Sequence, residues 1–496
     1  LSLSDLTYLL PELILLASAA LVFLLDIVWI RRARAEATGV YPQARFLPYV
    51  ALAGLAAALV GLIPSLGGTH QVATLLAVDP FSVFFKAFAI CAVAIVTLTA
   101  VSYMPGRTRY GGEFYALLLV TGLAICLAVS ASNLVMIYLS MEFLSITSYV
   151  LVGYIRNDRK SGEAAIKYFL FGASASAVML YGMSLLYGAT GTTDLGELAA
   201  AFSAKAPADL VWLGFPAIIL LLAGFGFKAS LVPFHQWAPD TYEGAPTPVT
   251  TFLSTASKAT GFAILIRVFV VALGQMQGEW GALLMAVSML TMTIGNLTAL
   301  RQTNIKRLLA YSSIAQAGYI LMGAAAISLN PGLTFSGING VLIYLFAYLF
   351  TNAGAFAVII AIEQATGKTD VKDYAGLVQR APWLAGLLFI FLASLAGIPP
   401  TGGFMGKFFV FGAVVQRQLW ILAAVGAVNS VVAAFYYLNV VRLMFFTPAE
   451  EVGPVRVAPS LQTALIVTAI VTLVLGLAPG PLIAWATNSV QLLALR

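Results

Sequence analysis

Long apolar runs leave this chain little choice of fold. They lie at about 9–30, 48–66, 80–104, 113–130, 132–155, 162–190, 210–238, 247–273, 279–300, 305–328, 335–362, 382–415, 418–446 and 459–486, and are numbered helix 1 to helix 14 in chain order. Each reaches the roughly 17–25 residues that an α-helix needs to cross a bilayer. In hydrocarbon a spanning segment has to satisfy its own backbone donors and acceptors. The runs do not alternate polar and apolar as barrel strands do. The reading is an all-α polytopic membrane protein of about fourteen transmembrane helices, and no strands are expected. Composition agrees, with 61% hydrophobic and 9% charged residues against about 25% charged in a soluble domain.

Basic residues set the orientation. One set of alternate loops holds Arg31, Arg32, Arg34, Arg45, Arg107, Arg109, Arg156, Arg159, Lys160, Arg301, Lys306, Arg307, Lys368, Lys372, Arg380, Arg442 and Arg456. The other set holds only Lys205, Arg267, Arg417 and Arg496. The arginine-rich face is expected to be cytoplasmic, with both termini outside. The net charge of +6 is this topology signal rather than a nucleic-acid footprint. The start of the chain has no charged n-region or small-residue cleavage site, so no removable signal peptide is expected. Cys91 and Cys126 lie inside spans, away from any CxxC or Cys/His cluster. Neither a zinc site, nor iron–sulfur ligation, nor a disulfide framework is expected. No glycine-rich dinucleotide fingerprint is present, so electron-transfer chemistry is not expected in this chain.

Most charges in the spans fall near helix ends. Glu12, Asp26, Lys86, Glu113, Lys167, Arg267 and Glu363 lie within about two turns of an end, where side chains snorkel to the interface. Asp79 before Pro80 reads as a helix N-cap. Four residues escape this explanation: Glu142, Lys228, Lys258 and Lys407. A lysine in mid-membrane costs about 2.5–3.5 kcal/mol on insertion scales. Glu142, in YLSMEFLSITSY, shares a helical face with Tyr138, Ser145 and Tyr149. Lys258, near the middle of helix 8, has Thr251, Ser254 and Thr255 on its side. A structural Glu–Lys pair would account for one pair and leave at least two lysines without an acid.

Two of these lysines sit beside breaks. Lys228 precedes Pro233 in helix 7, and Lys407 follows Pro399, Pro400, Gly402, Gly403 and Gly406 in helix 12. Prolines and glycines at this density interrupt the backbone ladder. Freed backbone groups are tolerated at membrane depth only against protein or a wet cavity. The two interrupted helices fall five helices apart, and paired broken helices point to internal repeats in transporters. An odd offset inverts the second copy, giving repeats of helices 4–8 and 9–13. The implied divisions are 1–104, 105–273, 274–446 and 447–496. Between the halves, Ser312, Gln316 and Tyr319 line a face of helix 10, and Tyr344, Tyr348, Thr351 and Asn352 lie on helix 11. Each is glue between helices, worth about 0.6 kcal/mol per bond, or a holder of water joining the halves.

The stretch HQWAPDTYEGAPTPVT, His235 to Thr250, with FLSTASKATGF and GIPPTGGFMGK, closely resembles the N-type subunit family of respiratory complex I, the proton-translocating NADH:quinone oxidoreductase. The resemblance runs over nearly the whole chain, although helices 1–3 carry no motif. The HxWxPD element (His235, Trp237, Pro239, Asp240) is shared with the wider antiporter-like superfamily. The resemblance implies a fourteen-helix antiporter-like fold with two inverted five-helix repeats and broken helices 7 and 12. It implies that Glu142 is the helix 5 glutamate, Lys228 the helix 7 lysine, Lys258 the relay lysine of helix 8 and Lys407 the terminal residue of helix 12. His235 is a further candidate from the motif. It also implies a multi-pass place in the cell inner membrane among other membrane and peripheral subunits, related antiporter-like subunits included. NADH, FMN, iron–sulfur clusters and a quinone would be bound by those partners and none by this chain.

A lysine moved from water to an apolar site can drop its pKa to about 5–6, and a nearby carboxylate raises it again. Glu142 would then set whether Lys228 holds its proton. Lys258 would receive it, the central helices would pass it on, and Lys407 would release it outwards. The rival readings are a subunit of a multi-subunit cation/proton antiporter, of a membrane-bound hydrogenase, or a scaffold that moves nothing.

Overall fold

The computed structural model describes residues 3–35, 45–203, 208–328, 334–449, 453 and 455–491. Lys205 and Arg496, two basic residues of the sparse face, lie outside the described residues. Among those described, thirteen helices are long and apolar enough to cross a membrane. Helix 12 adds the fourteenth crossing in two shorter pieces, Pro382–Ala396 and Gly402–Gln416. Helix 7 is likewise split, into Ala208–Ala229 and Trp237–Gly244. The all-α reading with two broken helices therefore stands.

Short polar residues start the helices. Asp79 accepts from the Ser82 amide, as an N-cap should. Asn133, Asp158, Asp194 and Asn304 accept from amides in the same way. Two of these caps expose the internal repeat. Asn133 donates to the Thr193 hydroxyl at 2.9 Å, and the Leu134 amide donates to the Thr193 carbonyl at 2.8 Å. In the second half Asn304 donates to the Thr369 hydroxyl at 2.9 Å, and the Ile305 amide to the Thr369 carbonyl at 2.8 Å. Each threonine follows a helix closed by a left-handed glycine, Gly191 or Gly367, with φ of 74° and 71°. The same local bond pattern ties the start of helix 5 to the end of helix 6, and the start of helix 10 to the end of helix 11. Five helices separate the two, so they lie on opposite faces.

Three expectations need correcting. Residues His70–Val72 and Leu76–Val78 form a small antiparallel hairpin between helices 2 and 3. Its strands are too short for alternation to announce them, and Tyr8 stacks on His70 at 3.7 Å to hold it. Helix 14 ends at Leu477, and a separate helix, Gly480–Gln491, follows. Pro479 between them cannot continue the ladder. Finally, Lys86 and Arg267 do not snorkel. Lys86 is wholly buried and pairs with Glu12 at 2.7 Å. Arg267 makes two bonds to the Asp79 carboxylate, at 3.0 and 2.8 Å. Neighbouring helices cover both positions, so each charge is met by a partner across the bundle rather than by water.

The helix 12 break is packed without slack. A Cβ on Gly403 would sit 1.9 Å from the Ser394 carbonyl oxygen, and one on Gly476 of helix 14 would sit 2.4 Å from the Pro400 carbonyl. Neither neighbour is a flexible side chain. Gly403→Ala is therefore expected to destabilise the chain by at least the roughly 1–3 kcal/mol of an overpacked core. Thermal unfolding of the purified complex checks it; an unchanged transition would show that the break has room to open.

Candidate functional site

The helix 7 break begins where the ladder ends at Ala229. The Trp237 indole donates to the Phe227 carbonyl at 3.0 Å, and the Val232 amide donates to the Thr291 hydroxyl at 3.0 Å. Groups freed by the break thus find partners inside the protein, and the motif tryptophan is one of them. Helix 8 lies hard against this end, since a Cβ on Gly261 would be 2.9 Å from the Ala229 nitrogen. Lys228 is 2% exposed. Its ammonium faces the rings of Tyr168 at 5.8 Å and Phe227 at 6.0 Å and has no hydrogen-bond partner in the protein. Glu142, half-buried on helix 5, instead accepts a bond from Ser176 of helix 6. The glutamate and the lysine are neighbours without being an ion pair.

Lys258 follows a π-helical turn, Leu253–Ser257, a feature frequent at functional sites because it re-aims side chains. It is fully buried, and its Nζ donates to the carbonyl and the hydroxyl of Ser313 on helix 10, both at 2.5 Å. The side chains of Tyr168, Ser230, Tyr242, Ser257 and Tyr348 have buried hydroxyls with no protein partner. Buried polar groups of this kind are where ordered water is expected.

From Ser313 the polar groups continue. Next in sequence, Ser312 shares a hydrogen bond with Tyr437 of helix 13. Tyr437 accepts from Gln316 at 3.1 Å, and Gln316 accepts from Tyr344 of helix 11. Gln316 also donates to the Leu395 carbonyl at 2.8 Å, one of the last in the first half of helix 12. Lys407 donates to the adjacent Ala396 carbonyl at 2.8 Å and lies 4.7 Å over the Tyr319 ring. The carbonyl end of a half-helix carries partial negative charge, so it is a natural seat for a cation. Tyr319 is bonded in turn to Asn296, which meets Asn429 and Tyr436 of helix 13.

Lys258 and Lys407 therefore lie at either end of a set of buried polar groups that includes Ser312, Gln316, Tyr319 and Tyr344, while the printed bonds of Glu142 and the ring contacts of Lys228 lie outside that set. His235 stands apart. It opens the second half of helix 7, only part-buried, and its Nδ1 has no protein partner. Helix 13 reads as a span in the sequence, but its polar residues are not singled out there, although Asn429, Tyr436 and Tyr437 interrupt an apolar run by the same criterion that exposed helix 10. Lys306, read as a loop residue, is buried on the Ala245 carbonyl at 2.9 Å.

Charged residues of helices 6, 7 and 10 meet in one cluster. There Asp240 of the motif accepts from Lys167 at 2.8 Å and from Arg307 at 2.5 Å, while Glu243 meets Lys160 and Arg307. No cluster of metal-ligating side chains exists among the described residues.

Residues 131–433 match the protein family described as NADH:quinone oxidoreductase/Mrp antiporter, transmembrane. The chain is 44% identical over 446 residues to NADH-quinone oxidoreductase subunit N of Moorella thermoacetica, covering 90% of this chain and 92% of that one. It is 40% identical over 494 residues to NAD(P)H-quinone oxidoreductase subunit 2 of Gloeobacter violaceus, covering 97% and 92%. Among solved structures, a chain of respiratory complex I from Thermus thermophilus with bound aureothin superposes with a TM-score of 0.77 at 32% identity, over 96% of this chain and 98% of that one. A chain of the Mrp complex from a Dietzia species superposes with a TM-score of 0.83 over 99% and 97%, and at 22% identity that likeness extends to the fold alone.

Proposed function

The chain belongs to the subunit N family of NADH-quinone oxidoreductase, and we propose that protons cross it by way of Glu142, Lys228, Lys258 and Lys407. It is a proton-translocating subunit of the membrane arm of complex I, assembled with other membrane and peripheral subunits. The observation that carries the proposed path is the run of buried polar groups from Lys258 to Lys407 between the two helix breaks. A scaffold needs charges in contact. Here Lys228 and Glu142 are unpaired, and Lys258 and Lys407 rest on neutral oxygens.

In this reading the chain is a translocase subunit without a redox centre of its own. NADH, FMN, iron–sulfur clusters and the quinone belong to partners, whose chemistry drives the relay. Helices 4–8 (105–273) and 9–13 (274–446) form the inverted repeats, flanked by 1–104 and 447–496. His235 keeps a minor place, as part of the turn that starts the second half of helix 7. Vesicles holding the complex with Lys258→Met, compared with the native complex, test the path through protons moved per electron pair. An unchanged ratio would remove Lys258 from it.

The arginine-rich face is the cytoplasmic side of the inner membrane, with both termini outside. Cysteine at Gly67, on the face opposite to that of Gly111, is expected to react with an impermeant thiol reagent only from outside. Cysteine at Gly111 is expected to react only from the cytoplasm. Neither substitution meets a neighbour, since no atom lies within 4 Å of a Cβ built at either site. The opposite labelling pattern would reverse the orientation.

A further inference from the structure

In the proposed relay Lys258 takes its proton from Lys228, and no group described so far joins Lys258 to the water of the arginine-rich face. Glu363, near the end of helix 11, occupies a position that none of the groups above accounts for. One carboxylate oxygen accepts from the Tyr103 hydroxyl at 2.8 Å and from Arg107 at 3.2 Å; the other accepts from the Thr247 hydroxyl at 2.5 Å. Its side chain is 12% exposed, and that of Arg107 beside it is 33% exposed. The carboxylate thus touches the water of the arginine-rich face on one side and the first residue of helix 8 on the other. Lys306 of helix 10 and Tyr374, from the turn after helix 11, are within electrostatic reach.

From Thr247 a wall of hydroxyls leads inward along helix 8. Thr251, Ser254, Thr255 and Lys258 follow Thr247 at intervals of three and four, so all share its face. The distance from Thr247 to Lys258 is about 16 Å at 1.5 Å per residue. Each of these hydroxyls donates to a backbone carbonyl within helix 8 or, at Thr247, to Glu363. Their oxygens keep lone pairs to offer to water. Asn352 of helix 11 donates to Ser254 at 2.7 Å, closing the wall just before Lys258. On the helix 11 side, Phe356 and Ile359 fill the face between Asn352 and Glu363, so the polar wall belongs to helix 8 alone.

We infer that Glu363 is the uptake residue through which protons from the arginine-rich face reach Lys258, carried by water along the helix 8 hydroxyls. The inference rests on the relay proposed above. In the step, the Glu363 carboxylate takes one proton from water beside Arg107 and becomes the acid. The acid passes that proton to water along Thr247 and Ser254, which delivers it to the neutral Lys258 amine. Glu363 returns as carboxylate, Lys258 is left as ammonium, and one proton has moved.

A merely structural Glu363 would latch helix 3 to helices 8 and 11, and the amide of glutamine would serve nearly as well. The test uses the assembled complex in vesicles, with native gels confirming assembly and protons per electron pair as the readout. Glu363→Gln is expected to fall to the ratio of Lys258→Met, and Glu363→Asp to keep at least half of the lost share. Native pumping in Glu363→Gln, with loss in Lys258→Met, would overturn the uptake role while leaving the relay intact. Native pumping in both would overturn the relay and the uptake role together. If Glu363→Gln does not assemble, Thr247→Val decides, since it leaves the Tyr103 and Arg107 contacts in place. It is expected to slow pumping at least twofold, and a native rate would overturn the inference.

Discussion

Lys258→Met and Lys258→Arg are both expected to remove this chain's full share of proton pumping, while Lys258→His keeps part of it. Methionine keeps the length and loses the charge. Arginine keeps the charge but stays protonated above pH 12, so it can accept a proton from a neighbour only by first losing one it does not release. Histidine titrates near neutral pH and can do both. The surroundings sharpen the contrast. The Lys258 ammonium rests on the carbonyl and hydroxyl of Ser313 with no carboxylate in contact, so a purely electrostatic role has no opposite charge to serve. If charge alone mattered, arginine would rescue and methionine would fail. Full pumping per electron pair in Lys258→Arg would therefore move the residue from relay to scaffold. The wider guanidinium also has to fit a site whose neighbours Thr255, Ser257 and Ser313 are almost wholly buried. Assembly has to be checked by native gel before the ratio is read.

The parts of this molecule legible in its sequence are those set by one stretch of chain at a time. The length of an apolar run decides that a helix crosses, and the breaks show as proline and glycine clusters at Pro233 and Pro400. Glu142, Lys228, Lys258 and Lys407 stand out because each is expensive where it is. What stayed hidden depends on which helix lies beside which. Lys86 and Arg267 look like ordinary end-of-helix cations until Glu12 and Asp79 are brought against them from other helices. The π-helical turn before Lys258 has no glycine or proline to mark it. The repeat could have been found from short local matches. Ser-Asn-Leu at Ser132 and Thr-Asn-Ile at Thr303 precede Gly-Thr-Thr-Asp at Gly191 and Gly-Lys-Thr-Asp at Gly367. A search for aligned lysines and prolines passes over them, because the lysine precedes the proline at one break and follows the prolines at the other, while the caps keep one order.

Lys228→Ala is expected to abolish the pumping of this chain and to slow quinone reduction while the complex still assembles. Assembly should survive because the Lys228 ammonium has no protein hydrogen-bond partner to leave orphaned. Function should not survive, because the proposed relay makes Lys228 the group that Glu142 acts on. At an effective dielectric constant of about 20, a carboxylate and an ammonium attract by about 4 kcal/mol at 4 Å and about 2 kcal/mol at 8 Å. Opening the pair by that distance changes the hold on a proton by about 2 kcal/mol. Moving one proton against 100 mV costs about 2.3 kcal/mol, so a shift of a few ångströms has the right size to drive the step. In the structure Glu142 is bonded to Ser176 and not to Lys228. Glu142→Gln keeps that bond and loses the charge, so it is expected to impair pumping as well, less severely if a neighbouring carboxylate can substitute. Combining Glu142→Gln with Lys228→Ala should add nothing to Lys228→Ala alone, since both act on one step. Native pumping in Lys228→Ala would defeat the mechanism outright, and fully additive losses would show that the two residues serve separate steps.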